Sequence, residues 1–347
     1  MTQVRAGREE GQVLVLMVLA LGVLMGMAAL AIDVGMVYEE RRDLQNAADA
    51  AALAGAQELP SSPELAVARA RTWASNNGIA DPDSLVITIS TTHSANDTIS
   101  VAVSRAVAYR LAPALGMEGD TVPAAAKARV GSPAGMDRFI PFAVENSVLS
   151  GLSPGDSAII KYDSQDQTQG NSLALAFPGN VGASDFRDSI YYGSDQVFCV
   201  VGSEYPGCTS TISTEPGAMV GPTQQGLRDL LQDTSTSCDQ FSEVFYQDAA
   251  NPGKMLINPA CNPFPPHNVA TSKRVVILPV ISGLCGGRCD VQIVRFALFF
   301  VEGVHCTGGA GSCQVTGRYA EAAFDPGHLT MAPYNGDAAL KFVRLVE

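Results

Sequence analysis

Residues Gln12 to Ile32 read QVLVLMVLALGVLMGMAALAI, 21 residues with no charge and with one polar side chain, at the edge. At about 1.5 Å per residue, a helix of this length spans a hydrocarbon core of about 30 Å. A secretory signal would have an apolar core of roughly 7–15 residues followed by a small-residue cleavage site. Ala29 and Ala31 offer that A-x-A spacing, but the run is longer and passes directly into Asp33, Tyr38 and Glu39-Glu40-Arg41-Arg42. The reading is an uncleaved transmembrane helix over 12–32, behind a short cytoplasmic tail at 1–11.

The helix is predicted to continue beyond the membrane. Val34 to Leu59 has no proline and is rich in Ala, Leu, Glu, Arg and Gln, which favour helix. Pro60 and Pro63 end it, because proline cannot continue a helix. A stem at 33–59 results, with Leu44, Ala48, Ala51, Gly55 and Leu59 on one stripe. Two uses of the stripe stay open: packing on the chain's own next domain, or assembly with neighbouring subunits. Inside the span, Gly22 and Gly26 form a G-x-x-x-G pair, which lets two membrane helices approach closely.

The span's flanks leave orientation open, with Arg5 and Arg8 before it and Arg41 and Arg42 after it. Cysteines decide the matter. All eight lie between Cys199 and Cys313, an even set that fits an oxidising compartment. The N-terminus is therefore expected in the cytoplasm and the bulk of the chain outside it. The closest-spaced pairs, Cys285 with Cys289 and Cys306 with Cys313, are the expected local bridges. Zinc on these four, or on three of them with His305, is the rival reading, although C-x3-C and C-x6-C are not the spacings of a zinc knuckle.

After the stem, residues 60–130 read as a small α/β domain. Pro63 to Asn76 is a helix with Leu65, Ala68 and Trp73 as its apolar side. Leu85–Ser90 and Ile99–Ala108 alternate with strand period, and Thr121–Val130 is a third strand. Gly131-Ser-Pro-Ala-Gly135 reads as a linker over 131–136. Residues 137–347 read as mainly β, with strands at Phe139–Glu145, Asp156–Tyr162, Ser172–Phe177, Arg274–Ile281, Val291–Val301 and Gln314–Ala323, and a helix at Pro222–Gln232. The fold class is α+β: one membrane helix extended into a stem, a small α/β domain, then a mainly β extracytoplasmic domain.

The formal net charge of -13 argues against a nucleic-acid partner, which calls for a basic patch. Catalytic patterns are missing from the sequence. The four histidines form no H-E-x-x-H, and there is no G-x-S-x-G elbow, G-x-G-x-x-G turn or Walker loop. No catalytic residue, cofactor or metal is expected. Asp163, Asp166 and Asn171 have calcium-type oxygen ligands but lack the EF-hand pattern, so they read as a solvated loop. Asp233 to Ser237 matches D-x-S-x-S, which resembles the metal-ion adhesion motif of von Willebrand factor A domains. It follows a predicted helix, where that family has an apolar strand, and is read as a chance match.

The stretch Glu9–Leu59 resembles the TadE/TadG-like family of Flp (tight adherence) pilus assembly proteins. The resemblance rests on Gly11-Gln12, the apolar run, Asp33-x-Gly35, Arg41-Arg42 with Leu44-Gln45, and Ala47 to Ala56. It extends loosely to Val130. The resemblance implies a non-enzymatic structural or assembly part of a pilus apparatus, with the membrane and other pilus-assembly or pilin-like proteins as partners. Prepilins of that system carry Glu five positions beyond the cleaved glycine; counted from Gly11, this chain has Leu16, so an uncut anchor is expected. Two alternatives compete: a surface adhesion or binding module on a Tad-like anchor, and an anchored extracytoplasmic enzyme.

Overall fold

The structure is a computed structural model, which describes residues 10–79, 84–161, 173–179, 182–203, 206–215, 217–232, 238–249, 251–261, 272–284, 286–307, 312–324, 329–334 and 340–346. The chain forms two compact units, one of residues 1–90, 98–128 and 345–347, the other of residues 91–97 and 129–344.

The first unit begins with one continuous helix, α1 (Glu10–Ala56), followed by α2 (Pro63–Asn76), β1 (Leu85–Ser90), β2 (Thr98–Ala108) and the first part of β3 (Gly119–Pro133). A 3-10 turn, Ala112–Leu115, joins β2 to β3. The helix stops three residues earlier than expected. Before Pro60 the chain tightens into i→i+3 turns, in which Glu58 N–H bonds the Gly55 carbonyl and Leu59 N–H bonds that of Ala56. Pro63 opens α2 at its first turn, where a missing N–H costs nothing.

The buried side of α2 corrects the sequence reading: it is Ala66, Ala70 and Ala74, whereas Trp73 is 47% exposed. Alanines at i, i+4, i+8 let the backbone of α2 come close to α1, which the larger residues would prevent. β1 and β2 pair antiparallel, from Leu85 opposite Val103 to Ser90 opposite Thr98. Ile99, Val101 and Val103 point into the unit, and β3 alternates the same way with Val122, Ala124, Ala126 and Ala128 buried.

The second unit continues β3 and adds β4 (Gly135–Met136), β5 (Val144–Glu145), α3 (Asn146–Leu149), β6 (Ser157–Lys161), β7 (Leu175–Ala176), α4 (Ala183–Tyr192), β8 (Phe198–Cys199), β9 (Thr211–Thr214), α5 (Val220–Gln232) and α6 (Phe241–Val244). Then follow β10 (Phe245–Asp248), β11 (Asn251–Ile257), β12 (Val275–Ser282), β13 (Asp290–Thr307), β14 (Ser312–Ala320), β15 (Ala322–Phe324), β16 (Met331–Ala332) and β17 (Leu340–Val346), whose last residues return to the first unit.

Its main sheet runs β5-β12-β13-β14-β6, with β9 on the start of β13 and β7 on β9. Both faces of this sheet are covered, so β12 is a continuous apolar run. Val275 and Ile277 enter one core with Phe296, Leu298 and Phe300. Val276, Leu278 and Val280 enter the other with Phe299 and Val301, under Phe186 and Ile190 of α4 and Leu227 and Leu230 of α5. In the first core Phe139 packs against Phe177 and Phe198, each with ring centroids 5.3 Å away. Lys161 is fully buried, and its Nζ donates to the carbonyls of Ala218 at 2.8 Å and Cys313 at 3.2 Å.

Glu302 sits where the β13–β14 register slips between Val301 and Gly303. Its carboxylate accepts from the Ser157 hydroxyl at 2.6 Å and from Arg318 Nε at 2.8 Å. Burial pushes this carboxyl up, but the Ser157 and Arg318 contacts prevail and hold it below the ordinary glutamate range.

Two expectations are corrected here. Residues 131–136 are not a linker: 130–136 are all buried, and Ser132 and Pro133 of β3 pair with Ala332 and Met331. A Cβ at Gly131 would collide with the Met331 side chain and the Ala332 carbonyl, so this glycine serves close strand approach. Of Phe139–Glu145 only Val144–Glu145 is strand. The residues before it are buried but bond irregularly: Ile140 N–H to Ile277, Phe142 N–H to Ile140, and Ala143 N–H to Leu173.

Candidate assembly site on the N-terminal helix

α1 changes character along its length. From Val13 to Ile32 the large apolar side chains stand between 49% and 72% exposed, which no water-facing helix sustains without a covering phase. The segment is long and apolar enough to cross a membrane. Within it, a Cβ added at Gly22 or Gly26 would meet nothing within 4 Å, so the G-x-x-x-G pair lies on open helix surface.

The stem is the reverse. Leu44, Ala48, Ala51 and Leu59 are each no more than 1% exposed. At Gly55 a Cβ would stand 2.6 Å from Ile99 Cδ1 of β2, 2.9 Å from the Ala66 carbonyl of α2 and 3.0 Å from Ala70 Cβ. The stripe offered by the sequence as an assembly face is thus covered from within the chain. The polar side of the stem is tied down as well. Gln45 Nε2 donates to Asp49 at 2.8 Å and to the Ala125 carbonyl at 2.9 Å, and Arg105 pairs with Glu40 at 2.6 Å.

Between the two halves lies Asp33, 4% exposed. Its Oδ1 accepts from Arg110 N–H and its Oδ2 from Ala112 N–H, both at 2.7 Å, and the Leu111 N–H falls between the two oxygens at 3.2–3.3 Å. A buried carboxylate needs such partners, since an unpaired charge away from water is costly. One acidic side chain at the end of the apolar run thereby fixes three consecutive amides of the loop after β2. This pairing was not legible in the sequence, because the partners are backbone groups 77–79 residues away.

The cysteines divide into pairs. Cys306 and Cys313 are bridged, as expected, from opposite positions on β13 and β14, with Cα atoms 4.0 Å apart. That bond removes both from any zinc site. Cys199 is bridged to Cys208 and Cys238 to Cys261, with Cα separations of 5.8 and 5.7 Å. Cys289 is disulfide-bonded. Cys285 lies outside the described residues, as do Asp163, Asp166, Asn171 and the Asp233–Ser237 motif.

Architecture and site together define a class: a long N-terminal helix, apolar and open over its first half and packed over its second, carrying a sheet-rich, disulfide-bonded body. Residues 11–58 match the Tad family model, Flp pilus-assembly TadE/G-like. Comparison with curated proteins and with solved structures gives no match.

Proposed function

We propose that this protein is a membrane-anchored, non-enzymatic structural or assembly component of a Flp/Tad-type pilus. The helix crosses the membrane once, with its N-terminus in the cytoplasm and the chain beyond residue 32 outside. One observation carries the reading: the family match, 11–58, coincides with the single helix α1 that joins the open apolar segment to the packed stem. The disulfides of the second unit support the orientation, because such bonds persist in oxidising compartments. We put the assembly contact on the membrane segment at Gly22 and Gly26, where an added Cβ would meet nothing within 4 Å.

The test is purification of the full chain from solubilised, crosslinked membranes. The wild type is expected to recover a secretion ATPase, a platform protein or a pilin. A double variant, Gly22→Ile with Gly26→Ile, is expected to keep its bridges and reach the membrane yet lose that recovery. Repeated recovery of no pilus component by the wild type refutes the proposal in favour of an adhesion module. A reporter that works only outside the cytoplasm, fused after Glu347, tests the orientation.

A further inference from the structure

The loop fixed by Asp33 is apolar on its outer side. Leu111 is 42% exposed and Met117 is 50% exposed, flanked by the exposed charges Arg110 and Glu118. Ala112, the first residue of the 3-10 turn, is buried at 6%. Two observations place this turn along α1. The amides of Arg110 and Ala112 lie 2.7 Å from the Asp33 carboxylate. Helix side chains lean toward the helix N-terminus, so that carboxylate points back along the apolar run. Also, Ala29 alone is buried between Val13 and Ile32, one helical turn before Asp33, and the 3-10 turn packs on α1.

The turn therefore lies beside the last turn of the apolar segment, at a depth that the segment itself assigns to lipid. The helix surface stays apolar there. Asp33 is covered, Ile32 and Val34 are 49% and 56% exposed, and Tyr38 is 73% exposed before the first outward charge, Glu39. Tyrosine is favoured at the headgroup level, where its ring and hydroxyl face different phases.

We propose that the Leu111–Met117 turn is a second membrane contact, seated in the interface of the leaflet through which α1 leaves, with Leu111 and Met117 among the upper acyl chains. The occupant is the lipid bilayer. Asp33 is the latch that holds the turn at this depth, so the first unit meets the membrane at two points and cannot swivel about a bare helix. The proposal rests on the reading of α1 as a membrane span.

The test uses the full chain, with its sole tryptophan removed by Trp73→Phe, in nanodiscs whose lipids are brominated near the carbonyl. Four variants each carry one new tryptophan: Leu111→Trp, Met117→Trp, Leu24→Trp within the span, and Val86→Trp on the exposed side of β1. Tryptophan at either turn position is expected to lose emission and shift to the blue as it does at position 24, whereas at position 86 it keeps its emission. Two turn variants are used so that misfolding of one leaves the other informative. Unquenched emission at both 111 and 117, with quenching at 24, overturns the proposal and leaves the span standing. Unquenched emission at 24 overturns both.

Discussion

Substituting Gly55 by alanine adds one methyl group where the structure has no space for it. Its Cβ would meet Ile99 Cδ1 at 2.6 Å, the Ala66 carbonyl at 2.9 Å and Ala70 Cβ at 3.0 Å. Two effects oppose. Alanine gains at most the helix-interior value of about 0.5–1 kcal/mol over glycine, since Gly55 lies one residue from the end of α1. Overpacking a filled core costs roughly 1–3 kcal/mol. Ile99 Cδ1 is the end of a side chain and can yield, but the Ala66 carbonyl belongs to the backbone of α2 and cannot move alone. Overpacking therefore wins, with a net loss of about 1.3 kcal/mol, close to a tenfold shift in the folding equilibrium. Trp73 is the sole tryptophan and lies on α2, so its fluorescence during denaturant unfolding of the full chain in detergent reports on this unit. Ile99→Val removes the nearest atom. Alone it should cost about 0.5–1.5 kcal/mol, but combined with Gly55→Ala it should cost less than the sum of the two. A Gly55→Ala variant as stable as the wild type, or more so, would show that propensity rules at this site and that α1, α2 and β2 are not in close contact there.

Two further expectations concern the second unit. Because Glu302 is held below the ordinary glutamate range, its contribution is fully present above the unfolded-state value and is lost as pH falls through the folded-state value. Glu302→Gln should thus cost about 1 kcal/mol at neutral pH, and urea unfolding at a series of pH values should show the gap to wild type closing toward acid. Replacing both cysteines of a bridge by serine should cost more for Cys238–Cys261 than for Cys306–Cys313, since the closed loops differ, with sequence separations of 23 and 7. The chain-entropy relation gives a difference of about 1 kcal/mol, to be read from the denaturation midpoints of the two variants.

Regular elements with strong local signals were legible from sequence. α2 and β1 begin and end where composition and alternation place them, and α1 starts two residues before the expected span and stops three short of the expected end. What failed were inferences from apolarity to hydrogen bonding. Phe139 to Ala143 are apolar because they fill a core, and their amides bond to scattered partners, so a strand was expected where there is buried coil. Gly131 looked like turn chemistry, but its absent Cβ makes way for β16. The helix α4 and the β10–β11 hairpin went unread. Of the candidate site, the open glycine pair and the stripe were visible in the spacing. The residues that cover the stripe were not, because Ala66, Ala70 and Ile99 carry no mark that assigns them to α1. Nor was the role of Asp33, whose partners are amides common to every residue.

The hydroxyl of Ser94 donates to the carbonyl of Tyr334, 240 residues later in the chain. At a ribosomal pace of about 5–20 residues per second, some 12–48 s separate the emergence of the two groups. Through that interval the loop between β1 and β2 is held by earlier-made groups: the Asp97 carboxylate gathers the amides of Thr92, His93 and Ser94 at 2.8–2.9 Å, and the Asp97 carbonyl accepts from the Val130 N–H at 2.9 Å. Synthesis of the first unit is complete by residue 128 except for its last three residues, yet the hairpin loop it encloses belongs to a unit not finished until residue 344. The order of events is thereby set: the apolar helix and its packed stem come first, and the body waits for the strands that follow residue 330.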